Sequence, residues 1–212
     1  VVDPVNVIAT HLSESIRQHA HEMLTRQDAD AYLERVKEQN PKLIEDLTPK
    51  LMPLSLVQRV LQNLLRERVS IRDAQTILEA LSEGGVATKN PTLLTEFVRQ
   101  AVARTLVKPY LDEKGELSAY LLDGALERTI QAGVEHNELN SRLTLGPDAV
   151  RDFSEKVRAV VGTPRGPVAL LCGTPVRFAV RQIVEHDLPL LAVLSHAEIP
   201  PNVRIAALGT VR

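Results

Sequence analysis

Through the first 110 residues apolar side chains recur at spacings of three and four, and helix breakers fall only between these runs. That period predicts a series of amphipathic helices and no strands in this stretch. The first run, Val5 to Leu24, puts Val5, Ile8, Ala9, Leu12, Ile16, Ala20 and Met23 on one face, with Arg17, Gln18 and Glu22 outside it. Such a stripe asks for a partner surface. A second helix follows Arg26, with Asp28 and Asp30 favouring its positive N-terminal end and Leu33 and Val36 turned inward, and Asn40-Pro41 stops it. After a short helical turn over Lys42 to Leu47, Ser55 is expected to cap Leu56 to Arg68. Ser70, Asp73 and Gln75 then open Ile71 to Ser82, which Gly84-Gly85 are expected to terminate. Asn90-Pro91 supplies a cap and a first-position proline for the last long helix, whose expected apolar face is Leu94, Phe97, Val98, Ala101, Val102 and Leu106, with Pro109 at its end.

Beyond the polar turn Asp112-Glu113-Lys114-Gly115 the pattern changes to short apolar runs alternating with amphipathic helices. Strands are expected at Glu116 to Leu122, Pro167 to Leu171, Leu190 to Leu194 and Val203 to Leu208. Helices are expected at Ala125 to Val134, Pro147 to Val161 and Pro175 to His186. The expected fold is therefore α followed by α/β: an all-helical subdomain over residues 1–112, then a small α/β subdomain over 113–212. The segment Gly162-Thr163-Pro164-Arg165-Gly166-Pro167 reads as a turn before a strand, because a phosphate loop would need Lys-Ser/Thr and a following helix.

At this length roughly 70% of the unfolded surface can be buried, so the core needs no disulfide, and the single Cys172 offers no internal one. Lys plus Arg number 25 against 27 Asp plus Glu, a formal charge of -2, which removes the positive field that general nucleic-acid binding requires. No run approaches the ~18 to 20 apolar residues of a membrane span, and the chain opens Val1-Val2-Asp3-Pro4, which suggests a soluble piece of something longer.

The chemistry-bearing residues form no complete catalytic set. His19 and His21, two apart on a helix, point roughly 200° away from each other and do not share an ion. His21-Glu22 begins like a zinc-protease motif, but Thr25 stands where the second His is needed. No metal or cofactor is expected. Cys172, followed by Gly173-Thr174-Pro175 and a helix, is the best enzyme hint, since strand-turn-helix settings can lift a nucleophile toward a helix N-terminus. Arg177 follows with four residues between where a cysteine-phosphatase loop needs five, and no dedicated base is identifiable, since His186 falls at the far end of the following helix and His196 lies after the next strand, close to Cys172 only if the two strands are neighbours. A packed thiol is the plainer reading, and a cysteine-dependent hydrolase the alternative. Ser195-His196-Ala197-Glu198 places triad residue types side by side, whereas a triad converges from separate elements. Arg66, Arg68 and Arg72 are interleaved with Glu67, Asp73 and Glu79, which reads as a mixed-charge solvated face, not a DNA reader.

Several phrases together resemble one family: Val2-Asp3-Pro4 with Val7-Ile8-Ala9-Thr10-His11-Leu12, Arg26-Gln27-Asp28, Pro41-Lys42-Leu43, Val60-Leu61-Gln62-Asn63-Leu64-Leu65, Val69-Ser70-Ile71-Arg72-Asp73, Thr76-Ile77-Leu78-Glu79, Val98-Arg99-Gln100-Ala101 and Leu194-Ser195-His196-Ala197-Glu198-Ile199. In these, nearly along its whole length and in order, the chain resembles the FHIPEP family of type III secretion export-gate proteins, flagellar and injectisome. The resemblance implies an inner-membrane protein with N-terminal spans absent here and a cytoplasmic half of four subdomains, of which this chain holds the third and fourth. It further implies a homo-oligomeric, nonameric ring that is not an enzyme, contacts other export-apparatus proteins and docks export chaperones carrying cargo. By position, the family's docking residues fall on Val2, Val7 and Thr10. β-Branched walls rimmed by a hydroxyl would suit an aliphatic or aromatic anchor from a chaperone segment that folds on binding.

Overall fold

A computed structural model describes residues 3–162 and 167–212. The expected turn over Gly162 to Pro167 thus lies mostly outside the described residues. Two compact units divide between Val102 and Ala103.

The first unit is helical: α1 (Pro4–Met23), α2 (Arg26–Lys37), α3 (Pro41–Glu45), an irregular turn over Asp46–Leu51, α4 (Leu54–Arg66), α5 (Ala74–Ala87) and α6 (Pro91–Ala101). Among the described residues no strand precedes Glu116. Each start has a local cause. Thr25 caps α2 in a reciprocal box, its hydroxyl accepting from the Asp28 N–H while the Asp28 carboxylate accepts from the Thr25 N–H. Asp73 caps α5 through the Thr76 N–H, and the buried Asn90 caps α6 through the Thr92 and Leu93 N–H groups. The core lies where α4 meets α2 and α6, with Val57, Val60, Leu61, Leu64, Ile77, Leu78, Leu81, Leu94 and Val98 fully buried.

Three local expectations are corrected. The fourth helix begins at Leu54 after Pro53, with no side-chain cap, so Ser55 lies inside its first turn. Gly84 and Gly85 do not end α5, which runs through both to Ala87. They are buried where other groups press against the helix, Phe97 and Leu94 on Gly84, and Met52 and Leu51 on Gly85. The diglycine serves close approach, not chain reversal. On α6, Phe97 is 41% exposed and Ala101 is exposed, so the buried face is turned away from the expected one and holds Pro91, Leu94, Thr95, Glu96, Val98 and Arg99.

The second unit opens with α7 (Ala103–Val107), whose Leu106 and Val107 are buried and which packs on the 3-10 turn His196–Glu198. That packing carries the compact unit back ahead of the Asp112 to Gly115 turn. There follow β1 (Glu116–Leu122), α8 (Gly124–Ala132), the hairpin β2 (Val134–His136) and β3 (Ser141–Leu143), α9 (Pro147–Val161), β4 (Ala169–Cys172), α10 (Thr174–Val184), β5 (Ala192–Ser195) and β6 (Arg204–Val211). The main sheet is parallel, in the order β5-β4-β1-β6. Every residue of β4 is buried, as expected for an inner parallel strand covered on both faces. Phe153, Val157, Val176, Val180, Ile183 and Leu191 pack with the sheet into one core. The hairpin was not expected, because its three-residue strands are too short to show an alternation.

Candidate docking site

The candidate site lies on α1. Its start is fixed by Asp3, whose carboxylate accepts from the Val5 N–H at 3.1 Å, followed by Pro4 at the first helical position. Its body is tied to α4 at two levels. Gln58 and Gln62 both donate to the Leu24 carbonyl at 3.1 Å, and Arg68 reaches Glu14 at 2.6 Å. Arg68 is placed by the way α4 ends. The Val69 N–H bonds the Leu64 carbonyl and the Arg68 N–H bonds the Leu65 carbonyl, a closure that puts Arg68 in the left-handed region at φ 59. A non-glycine residue is rare there, and in this case its guanidinium holds α1.

Seven residues make close to two helical turns, so Val7 and Glu14 share a face, and Thr10 lies one turn from Val7 on that face. Val7 is 51% exposed and Thr10 is exposed. Neither is an interior contact of the first unit, and both lie where the face that carries Glu14 runs beyond the Arg68 contact. Val2 lies outside the described residues. The expected apolar stripe is also present, but on the opposite side of α1, with Val5, Ile8, Leu12, Ile16 and Met23 all exposed.

The competing chemistry dissolves in the second unit. Cys172 is fully buried, with its thiol toward the Leu194 carbonyl at 3.8 Å. The Gly173 N–H, the donor an oxyanion would need, instead donates to Glu127 Oε1 at 2.7 Å, so the α10 N-terminus is filled by a carboxylate of the same chain. β4 and β5 are neighbours with Cys172 opposite Ser195, yet His196 is exposed while the thiol is buried. Arg177 is also fully buried and donates to the Val193 carbonyl, a structural role. Glu198 is buried and accepts from the Ser195 N–H at 2.7 Å, closing the turn that carries the Ser-His-Ala-Glu phrase. Among the described residues no group of His, Cys, Asp or Glu is arranged to hold a metal. His19 instead approaches Glu22 at 3.4 Å.

The mixed-charge reading of the α4 end needs one correction. Arg66 and Arg72 are exposed, but Glu67 accepts at 3.1 Å from Arg99, which is 2% exposed, so this acid belongs to the interior. Sequence reasoning missed both this pair and the Glu14–Arg68 tie, since partners 32 and more residues apart leave no local signal.

The sequence matches the FHIPEP family over residues 1–204. The chain belongs to the FHIPEP family. That is a family of secretion export-gate proteins, not of enzymes. It is 37% identical to the flagellar biosynthesis protein FlhA of Bacillus subtilis and 35% identical to that of Escherichia coli K12, over 100% of this chain in both cases. It spans 32% and 30% of those proteins, about a third of their length. Among solved structures, the Chlamydia pneumoniae CdsV protein superposes with a TM-score of 0.91 at 32% identity, covering 99% of this chain and 61% of CdsV. A structure of CdsV in complex with CdsO matches at 0.91 and 33%, covering 100% of this chain and 63% of that one. The nonameric SctV cytosolic domain of EPEC matches at 0.87 and 25%, over 96% of this chain and 62% of that one. These likenesses accord with α followed by α/β. Among the described residues no helix is long and apolar enough to cross a membrane.

Proposed function

We propose that this chain is the docking part of a type III secretion export gate, held at the bacterial inner membrane by other parts of a longer protein and facing the cytoplasm. In that setting it assembles as a nonameric ring with other export-apparatus proteins and receives chaperone-cargo complexes, ordering protein export. Support comes from family membership across residues 1–204 and from likeness to a domain solved as a nonamer. The observation that carries the docking role is the stretch of the Glu14 face of α1 beyond the Arg68 contact, where Val7 and Thr10 stand one turn apart and open to solvent on a helix held by Arg68, Gln58 and Gln62. A rigid helix presenting a β-branched side chain beside a hydroxyl suits an apolar anchor with one polar contact. Val2 is proposed to extend the same wall.

The test is titration of a late-substrate chaperone-cargo complex against the complete cytoplasmic part, wild type and Val7→Asp. Loss of one anchor costs about 2 kcal/mol, on the order of thirtyfold in affinity. Thermal stability should hardly change, because Val7 is half exposed and in no core. Equal affinities for the two proteins would remove Val7 from the docking surface.

A further inference from the structure

Along the outer face of α8 runs a trough of about 680 Å³ that shares no residue with the candidate docking site. Ala125, Arg128, Thr129 and Ala132 fall on one side of the helix, all exposed, and form one wall. Thr144, Leu145 and Gly146, from the link between β3 and α9, form the other. The two walls are fastened together at Gly133. The Thr144 N–H and hydroxyl both donate to the Gly133 carbonyl, at 2.7 and 3.1 Å, and Leu145 lies so close over Gly133 that a Cβ there would stand 2.5 Å from its side chain. Leu145 is thereby set as a half-buried apolar floor.

The charge in the trough is unbalanced. Asp123 accepts from the Ala125 N–H at 2.8 Å and Glu127 from the Gly173 N–H at 2.7 Å, so the acids at the start of α8 are already used. Arg128 makes no ion pair with any described residue. Its Nη1 reaches back toward the start of its own helix, 3.6 Å from where a Cβ of residue 124 would stand. A cation near that positive end opposes the helix dipole, and an anion brought there is attracted by both.

The form of the trough selects what can fill it. It lies open along its length, whereas a small-ligand pocket encloses most of its ligand. A single arginine in a chain of formal charge -2 is too little for a nucleic acid. An extended peptide would need backbone groups to pair with, and the Gly133–Thr144 edge is already closed. A helix brings its backbone bonds already satisfied, and the short side chains of Ala125, Thr129 and Ala132 allow a second helix axis to approach to about 8–10 Å. We propose that this trough seats an acidic helix of a second protein, which lays a carboxylate on Arg128 and an aliphatic side chain on Leu145.

The trough lies on the second unit, while Val7 and Thr10 lie on the first, so the proposal and the chaperone-docking reading are tested separately. The probe is a displayed library of helical peptides randomised along one face, selected against the immobilised 212-residue chain, with synthetic copies of the enriched peptides titrated by fluorescence anisotropy. Enriched peptides should carry Glu or Asp one turn from Leu, Ile or Val. Their affinity should fall about tenfold or more on Arg128→Glu, and likewise on Ala132→Trp, which fills the trough. Replacing the peptide's acid by Lys should restore binding to Arg128→Glu. Both positions are exposed, so neither change removes a core side chain, and circular dichroism checks the fold. No enrichment, enrichment without acidic residues, or equal binding to Arg128→Glu overturns the proposal. So does self-association of the chain that disappears in Arg128→Glu, which would assign the trough to a second copy.

Discussion

Replacing Gly85 by alanine sets two opposing effects against each other on α5. Alanine inside a helix is favoured over glycine by about 1 kcal/mol, because it loses less backbone freedom on folding. The added methyl, however, would stand 2.4 Å from Met52 Cε, 3.0 Å from Leu51 Cδ2 and 3.3 Å from Leu51 Cγ. Carbon atoms settle at about 3.5–4.0 Å, so the Met52 contact is too close by roughly 1 Å. Met52 is only 1% exposed, so its terminal methyl, although the end of a flexible side chain, has to shift within the packed interior. Overpacking of this type costs about 1–3 kcal/mol, and the upper part of that range applies to a neighbour that is itself packed in. The net expectation is a loss of about 1–2 kcal/mol, or a fall in Tm of roughly 2–8 °C. Gly84→Ala is the internal comparison. Its methyl would meet Phe97 at 3.0 Å and Leu94 at 3.3 Å, but Phe97 is 41% exposed and can swing outward, so stability should change by less than about 1 kcal/mol. Urea and thermal denaturation of both variants, with the Gly85→Ala, Met52→Ala double-mutant cycle, provide the assay; the pair should show a favourable coupling. A higher midpoint for Gly85→Ala would refute the close-approach account and show that the diglycine is a tolerated weakness.

Two further outcomes follow from the second unit. The Ser154 hydroxyl at 2.5 Å and then Arg158 at 2.9 Å hold the Asp187 carboxyl below its ordinary value of 3.8. A depressed folded-state value means that this carboxylate stabilises the fold at pH above 3.8 and stops doing so as pH falls through the lowered value. Asp187→Asn should therefore lower the urea midpoint at neutral pH and match wild type in strong acid; a constant gap at all pH would contradict the linkage. Cys172→Ser should leave export unchanged, because the thiol is buried and the neighbouring Gly173 N–H is already used by Glu127. Loss of export by a folded, expressed Cys172→Ser protein would reopen a chemical role for the thiol.

What the sequence determined by itself was local. The helical period of the first hundred residues, the Asn90-Pro91 start of α6, and the limits of β1 at Glu116–Leu122 and α9 at Pro147–Val161 all follow from spacing and from capping within four residues. The spacing of Val7 and Thr10 was legible for the same reason. Tertiary structure decided what depends on distant partners. Gly84-Gly85 looks like a helix stop until Phe97 and Met52 are seen against it. Glu67 looks solvated until Arg99 is found beneath it, and the three-residue strands of the hairpin exist only by pairing with each other. For α1 the stripe could be read from the sequence, but its direction could not. Which side of an amphipathic helix meets its neighbour shows here only in tertiary contacts, the Glu14–Arg68 pair and the Gln58 and Gln62 bonds to the Leu24 carbonyl, and not in the hydrophobic pattern of α1.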